Sequence, residues 1–280
     1  MPVTCALSIK NWVGLLKVEV VDLCPENVDD CLLVCPPKIR DENVKIGLEI
    51  RKNWLLDLYR TIGPCAKTAY LNAKPVGMIQ YTPLHKIPYF KTERRDVLYI
   101  HCIYVKEHVR SRGIGSALLN SLINDMKKPN KLFEGKRCRM LATTARERQG
   151  LTQVSYFKSK GFIKTDGNID SSLVYSLLKT SSKNLDIPHS KPLSIQEDDV
   201  KIFFSPTCHM CKYWNENIKA KIREVDPTIE IEECNLWVHS QEALRRGLTS
   251  FATYIRGRPV LPMNPQEFWE AIGRLTLETK

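Results

Sequence analysis

Two stretches of the chain combine residue types at spacings that can do chemistry. The first is Arg110-Ser111-Arg112-Gly113-Ile114-Gly115-Ser116, a basic turn with two glycines. Glycines there let the backbone come close to a ligand, and the free N–H groups of a helix that opens at this turn point outward. With the helix dipole and the charges of Arg110 and Arg112 they make a pyrophosphate site. The second stretch is Cys208-His209-Met210-Cys211, two thiols at the spacing of a dithiol pair. At a helix N-terminus the dipole lowers the pKa of the first thiol, Cys208, which favours thiolate chemistry, with Cys211 as its redox partner. Only these two cysteines have such spacing, so no zinc or other metal site is expected. Cys31 and Cys35 read as two thiols near a loop.

Just before the basic turn, Val97–Val105 is a nearly continuous apolar strand. Alternation puts Tyr99, His101 and Ile103 on one face and Ile100, Cys102 and Tyr104 on the other. His101 titrates in the range useful for proton transfer, so His101 and Tyr99 are candidate bases. The other reading of His101 is a core histidine hydrogen-bonded to a neighbour. Cys102 reads as a small apolar strand residue.

The elements that must position these residues mix strands and helices. Leu16–Leu23 is β-branched and alternating, and Val44–Tyr59 has helical spacing. Lys67–Leu71 and Val76–Tyr81 flank Asn72-Ala73-Lys74-Pro75 as a hairpin. Ile114–Met126 is an amphipathic helix, Arg137–Thr143 a strand, Thr152–Ser159 a short helix and Ser172–Leu178 a closing strand. Together they imply one mixed α/β sheet. Downstream, an apolar strand from Lys201 leads into the cysteine pair, Ile229–Cys234 reads as a second strand, and Pro265–Leu275 as a closing helix.

At 280 residues the chain has room for two domains. Apolar residues at 43% and charged residues at 26% exclude wholesale disorder. Residues 179–199 contain two prolines, several Ser and Thr and few large apolar side chains, so they read as a linker between 1–178 and 200–280. Residues 1–180 carry 29 Lys and Arg against 17 Asp and Glu, a net of +12. Residues 181–280 carry 13 against 14, a net of −1. The first part should attract phosphate groups, an acidic substrate or a nucleic acid. No apolar run approaches the ~20 residues that span a bilayer, and the N-terminus lacks a signal pattern. Membrane spanning and classical secretion are not expected. The ten scattered cysteines are expected to be reduced, in a cytoplasmic protein.

The strand–turn–helix unit resembles the acetyl-CoA site of the GNAT N-acetyltransferase superfamily, whose signature Arg/Gln-x-x-Gly-x-Gly/Ala is matched by Arg110-x-x-Gly113-x-Gly115. Tyr156-Phe157-Lys158-Ser159-Lys160-Gly161-Phe162 is similar to the family's second signature, a short helix ending in Gly-Phe. The resemblance covers nearly all of residues 1–178. It implies a mixed-sheet α/β acyltransferase fold with acetyl-CoA as cosubstrate. The backbone of Ile103, Tyr104 and Val105 would pair with the pantetheine arm. The turn from Arg110 and Ser111 through Arg112, Gly113, Ile114, Gly115 and Ser116 would hold the pyrophosphate.

One departure concerns the proton donor. Many members have, four residues before the signature glycine, a tyrosine that protonates the leaving thiolate; here that place is Phe157. Tyr156 is the adjacent phenol and the remaining candidate, although on a helix it would point elsewhere. In relatives a carboxylate or an ordered water near the start of the long strand takes the amine proton, and Tyr99 and His101 lie about there.

The strand–turn–Cys-x-x-Cys–helix unit resembles a small thioredoxin-like α/β domain over about 80 residues. Thioredoxins carry a cis-proline opposite the cysteines. The matching stretch Ser250–Gly257 has Ala252 in that place. A non-proline cis bond costs about 2.5–4 kcal/mol, so a trans bond and an altered thiol cleft are expected. A GNAT domain followed by such a domain is similar to the YoaP-type acetyltransferases. The expected function is acetyl-CoA-dependent N-acetylation of a small amine or amino-acid-like acceptor, with the C-terminal domain modulating acceptor access or redox state. Two alternatives stay open. One is an acyl-transfer fold whose basic face docks tRNA or another nucleic acid, although no RNA-recognition motif or Arg/Gly tract appears. The other is a thiol–disulfide enzyme with a passenger GNAT domain.

Overall fold

The computed structural model describes residues 9–13, 16–35, 41–145, 147–148, 151–164, 171–177, 192–197, 199–260, 266, 269–270 and 273–274. Most of the segment 179–199, read as a linker, lies outside the described residues. So does most of the helix expected over Pro265–Leu275, where only 266, 269–270 and 273–274 are described, all helical. The chain divides into two units: residues 1–36, 52–86 and 92–187 form the first, and residues 37–51, 87–91 and 188–280 the second.

The elements up to residue 176 are β1 (Ile9–Val13), β2 (Leu16–Asp22), α1 (Val28–Val34), α2 (Glu42–Ile62), β3 (Ala66–Leu71), β4 (Lys74–Pro83) and β5 (Val97–Val105). They continue with α3 (Ile114–Met126), β6 (Met140–Ala145), β7 (Glu147–Arg148), β8 (Leu151–Thr152), α4 (Gln153–Ser159), β9 (Ile163–Lys164) and β10 (Ser171–Ser176). Eight strands form one sheet in the order β1-β2-β3-β4-β5-β6-β10-β9, with β7 and β8 as a separate pair. Every pairing in the large sheet is antiparallel except β5 with β6. This is the mixed α/β sheet that the pattern implied.

Local chemistry explains the elements that matter for the site. The β3–β4 hairpin turns on Asn72 and Ala73, both at positive φ (51° and 60°), as a two-residue turn requires. Helix α3 buries Ile114, Leu118, Leu119 and Leu122 against Val20, Ile79, Leu98 and Ile100 of the sheet. It can lie that close because Gly77 has no side chain: a Cβ there would sit 2.9 Å from Ile114 Cγ2 and 3.0 Å from Leu118 Cδ1. Near the other end of α3, Asp125 and Asp22 of β2 both pair with Lys67 of β3, whose side chain is only 3% exposed. That ion triad ties the helix to two strands.

Three expectations need correction. Strand β6 begins at Met140, not Arg137, because the Arg139 N–H donates to the Asp96 carbonyl (2.8 Å) before the ladder with β5 starts. Cys31 is a buried residue of α1 and Cys35 is that helix's half-buried C-cap; the sequence pattern showed no helix there. The third concerns β5. Gln80 pairs with Cys102 but Tyr81 with Ile100, so β5 carries one extra residue, His101, at a bulge. The bulge resets the alternation: Leu98, Ile100, Ile103 and Val105 all pack on the α3 side. Ile103 therefore does not share a face with Tyr99 and His101.

The second unit contains β11 (Val200–Phe204), α5 (Met210–Val225), β12 (Ile231–Asn235), α6 (Ser240–Arg245), β13 (Ala252–Ile255) and β14 (Arg258–Val260). Its sheet has the order β12-β11-β13-β14, with β11 parallel to β12 and the other pairs antiparallel. Ile218 and Ile222 of α5 pack on Val200, Ile202, Ile255 and Val260. A buried guanidinium also organises this unit. Arg246 pairs with Glu197 and Glu242 and lies over the rings of Tyr254 (4.5 Å) and Phe203 (5.4 Å). Among the described residues no helix is long and apolar enough to cross a membrane.

Candidate functional site

The basic turn leads from β5 into α3 as the residue types required. Ser111 (φ 61°) and Gly113 (φ 77°) are both left-handed, and Gly113 caps α3, its carbonyl accepting the Ala117 N–H at 2.9 Å. The N–H groups of the first turn are thereby left for an outside acceptor. Arg112 is exposed. Arg110 folds back: its Nε–H donates to the Val105 carbonyl at 3.1 Å, and its guanidinium lies 5.5 Å from the Tyr104 ring centre. It braces the turn while keeping its charge there.

A second feature adjoins the turn. Pairing of β5 with β6 runs only from Val97–Met140 to Ile100–Thr143, yet β5 continues to Val105. The two parallel strands part after Ile100, beside Ile103, Tyr104 and Val105. A strand edge at such a split can accept an extended chain bearing amides.

The third feature corrects the expectation for Tyr156. A Cβ at Gly115 would lie 3.3 Å from the Tyr156 hydroxyl, so this phenol stands over the first turn of α3 rather than pointing elsewhere. Its oxygen is buried and has no hydrogen-bond partner among the described residues. Burial raises its pKa, so it remains protonated at ordinary pH and keeps a hydrogen to donate. Phe157, in the place where relatives carry tyrosine, is 2% exposed and packs on Phe162 with ring centres 4.9 Å apart. Which of two adjacent residues of α4 faces the core depends on how that seven-residue helix docks, and no spacing rule could show it.

On the other side of β5, the His101 ring meets Trp54 (5.6 Å) and Tyr99 (5.2 Å) edge-on, and its Nε2 is 3.0 Å from Thr82 Oγ1. The residue is half-buried, and desolvation pulls its pKa down to about 3. It is neutral across the physiological range. The Tyr99 hydroxyl donates to Thr144 Oγ1 at 2.8 Å. The contact with Thr82 fits the hydrogen-bonded histidine of the second reading, although the residue is half-buried rather than part of the core.

In the second unit, Cys208 is exposed and Cys211 half-buried, and neither is in a disulfide. The Cys211 N–H donates to the Cys208 carbonyl (3.2 Å), so the pair straddles the start of α5. Between them His209 is buried, and burial followed by the charge of Arg51 pulls its pKa down to about 4. Beyond Cys211, Lys212 pairs with Glu216 and Glu233. Although burial pushes the Glu216 carboxyl up, Lys212 and Lys219 hold it at about 2. Ala252 opens β13 opposite Phe203, and no cis peptide occurs among the described residues. No group of three or more His, Cys, Asp or Glu among the described residues is placed to hold a metal ion.

Residues 35–149 match the family model described as "Acetyltransferase (GNAT) family". No curated protein matches the chain. Among solved structures, the chain is similar to Ard1 from Thermoplasma volcanium, at 15% identity over 58% of this chain and 99% of that one, with a TM-score of 0.40. It is similar to the PaiA N-acetyltransferase of Thermoplasma acidophilum in complex with coenzyme A, at 16% identity over 57% and 98%, with a TM-score of 0.40. A third is Arabidopsis thaliana Naa50 in complex with a bisubstrate analogue, at 18% identity over 57% and 98%, with a TM-score of 0.37.

Proposed function

We propose that this chain, which carries an acetyltransferase (GNAT) family domain and takes acetyl-CoA as its cosubstrate, acetylates the amino group of a small amine or amino-acid-like acceptor. The observation that carries the reading is the turn at the start of α3. Gly113 is left-handed, and Gly115 lies beneath a tyrosine whose buried hydroxyl has no hydrogen-bond partner among the described residues. These residues fit the cosubstrate. The amides of Arg112 to Ser116, with the α3 dipole and the Arg110 and Arg112 charges, take a pyrophosphate. The β5 edge at Ile103 to Val105 takes the amides of the pantetheine arm.

Acetyl-CoA supplies the activated thioester. The protein supplies orientation and hydrogen bonds. Tyr156 donates its hydroxyl hydrogen to the departing sulfur, in place of the tyrosine that relatives carry at the Phe157 position. A base whose conjugate acid has a pKa of about 3 takes no proton from an ammonium group. In this reading His101 and Tyr99 position the acceptor, which reaches the thioester as the neutral amine after its proton has been lost to bulk buffer.

The test is calorimetry of acetyl-CoA binding to the wild-type chain and to Gly113→Asp. A carboxylate at a left-handed position facing the pyrophosphate should abolish binding, and unchanged affinity would overturn the site. A mass-shift screen of small amines with acetyl-CoA then identifies the acceptor.

For the second unit we propose a thioredoxin-like domain in a redox role, its cysteine pair exchanging with low-molecular-weight disulfides. The sheet order β12-β11-β13-β14 and the placement of Cys208 just before α5 support this. Cys211→Ser should trap a mixed disulfide through Cys208, and Cys208→Ser should trap none. No trapped species from either variant would sink the redox role.

A further inference from the structure

Two consecutive threonines of β6 stand where that strand parts from β5. The ladder between the strands ends with Ile100 opposite Thr143, and at that last rung the Thr143 hydroxyl donates to the Ile100 carbonyl at 2.9 Å. Thr144 is the next residue and is half-buried. Leu141 and Ala145 pack on the α3 side of the sheet, so alternation turns Ala142 and Thr144 to the other side. Tyr99 shares that side, directly opposite Ala142.

The hydrogen bond between Tyr99 and Thr144 therefore runs along the strands rather than straight across them. The Tyr99 hydroxyl meets Thr144 Oγ1 at 2.8 Å, two residues past its own partner in the ladder. Two residues of strand are about 6.6 Å, so the phenol leans toward the opening. Its oxygen lies level with the first residue of β6 beyond the split, beside the stretch Ile103 to Val105 proposed to hold the pantetheine arm. Tyr99 is half-buried too, which leaves part of each side chain open to a ligand. A phenol has one hydrogen. Once that hydrogen is given to Thr144, the oxygen can meet a further group only through its lone pairs.

We propose that Thr144 is a positioning residue for acetyl transfer that acts through Tyr99: by taking the phenol's hydrogen, it makes the Tyr99 oxygen an acceptor for one N–H of the incoming amine. This rests on the acetyltransferase reading above. A neutral primary amine has two N–H hydrogens and one lone pair. Holding one hydrogen at Tyr99 turns the lone pair toward the thioester carbonyl carbon. As the C–N bond forms the nitrogen becomes positive, and the N–H···O bond strengthens in the transition state. The C–S bond then breaks and the sulfur takes the Tyr156 hydrogen. The nitrogen's surplus proton passes to solvent, from which the Tyr156 oxygen is reprotonated. A Tyr99 with its hydrogen free would instead bond the amine's lone pair and mask the nucleophile.

The test uses the full chain. Carbon-13 NMR of the tyrosine Cζ atoms reads the bond without any acceptor, the Tyr99 signal being the one lost in Tyr99→Phe. Thr144→Val, a side chain of the same shape, should move that signal, and Thr144→Ser should restore most of it. For the amine found in the mass-shift screen, Thr144→Val should lower kcat/KM about tenfold while calorimetry shows acetyl-CoA affinity unchanged. Thr144→Ser should recover most of the rate. In a Tyr99→Phe background Thr144→Val should cost nothing further, because the two side chains act as one unit. An unchanged kcat/KM in Thr144→Val overturns the proposal, and so does an equal loss in the Tyr99→Phe background. If Thr144→Val does not fold, Thr144→Ala is read by the same criteria. A wild-type chain that binds acetyl-CoA but acetylates no amine in the screen fails the acceptor reading, and the proposal falls with it. A wild-type chain that turns over no faster than Thr144→Val overturns this proposal alone.

Discussion

Tyr156 and Phe157 show how much one side-chain direction decides. With its hydroxyl protonated, buried and without a partner among the described residues, over Gly115, Tyr156 is the donor we propose for the departing thiolate. Tyr156→Phe should lower kcat by about ten- to a hundredfold with little change in KM for acetyl-CoA. A raised KM with kcat intact would make it an anchor instead. Phe157→Tyr, by contrast, puts a hydroxyl into the contact with Phe162. It should cost about 1–3 kcal/mol of stability and yield no gain in rate. His101 carries a prediction about pH. The unfolded chain binds a proton on this ring near 6.5, the folded chain only at about 3. Between those values unfolding takes up a proton, so the stability contributed is fully present above 6.5 and is lost as pH falls toward 3. Urea midpoints at descending pH should fall less steeply for His101→Gln than for wild type, with the remaining slope shared by His209, which is shifted the same way.

At the scale of elements, the site depends on α3 lying close to β4 and on β5 parting from β6. Gly77 permits the first. Gly77→Val would press on Ile114 and Leu118, costing about 1–3 kcal/mol and displacing the start of α3. A lower Tm together with weaker acetyl-CoA binding in calorimetry is the expected result, and unchanged affinity would separate the packing from the site. The bulge at His101 governs the second strand. It lets Ile103 and Val105 face the core while His101 and Tyr99 face away, so one residue sets two surfaces of β5 at once. Deleting it would turn every following side chain to the opposite face.

Over the whole molecule, charge and burial are distributed differently in the two parts of the chain. The first 180 residues carry the net positive charge, in keeping with a polyphosphate cosubstrate. The second unit invests its strongest electrostatics inside, where Arg246 meets Glu197 and Glu242 between two aromatic rings. Arg246→Met would strand the Glu197 carboxylate and leave Glu242 with Arg245 alone, and should cost about 3–5 kcal/mol. Adding Glu197→Gln and Glu242→Gln should recover much of that in denaturant unfolding, and no recovery would mean the arginine acts by packing alone. Arg245 and then Arg246 hold the Glu242 carboxyl at about 2, so its contribution is present above the ordinary value of 4.5 and is lost as pH falls through about 2.

The sequence by itself determined the features that depend on neighbours along the chain. The bounds of β5 and α3, the glycine turn between them, a hairpin at Asn72-Ala73-Lys74-Pro75 and the start of a helix at the cysteine pair all follow from periodicity and turn chemistry, whereas the two-residue turn at Asn72-Ala73 and the left-handed Gly113 are seen only in the structure. Those local rules were enough to place the basic turn between β5 and α3. What they could not reach are properties set by docking between distant segments. The bulge at His101 comes from the register with β4, and the histidine's low pKa from Trp54 and Thr82 around it. Tyr156 faces α3 because α4 docks with Phe157 inward. That Thr144 takes the Tyr99 hydroxyl required β6 to be in place beside β5. Spacing along a helix or strand sets which residues share a face; only packing sets what that face meets and how far it is removed from water.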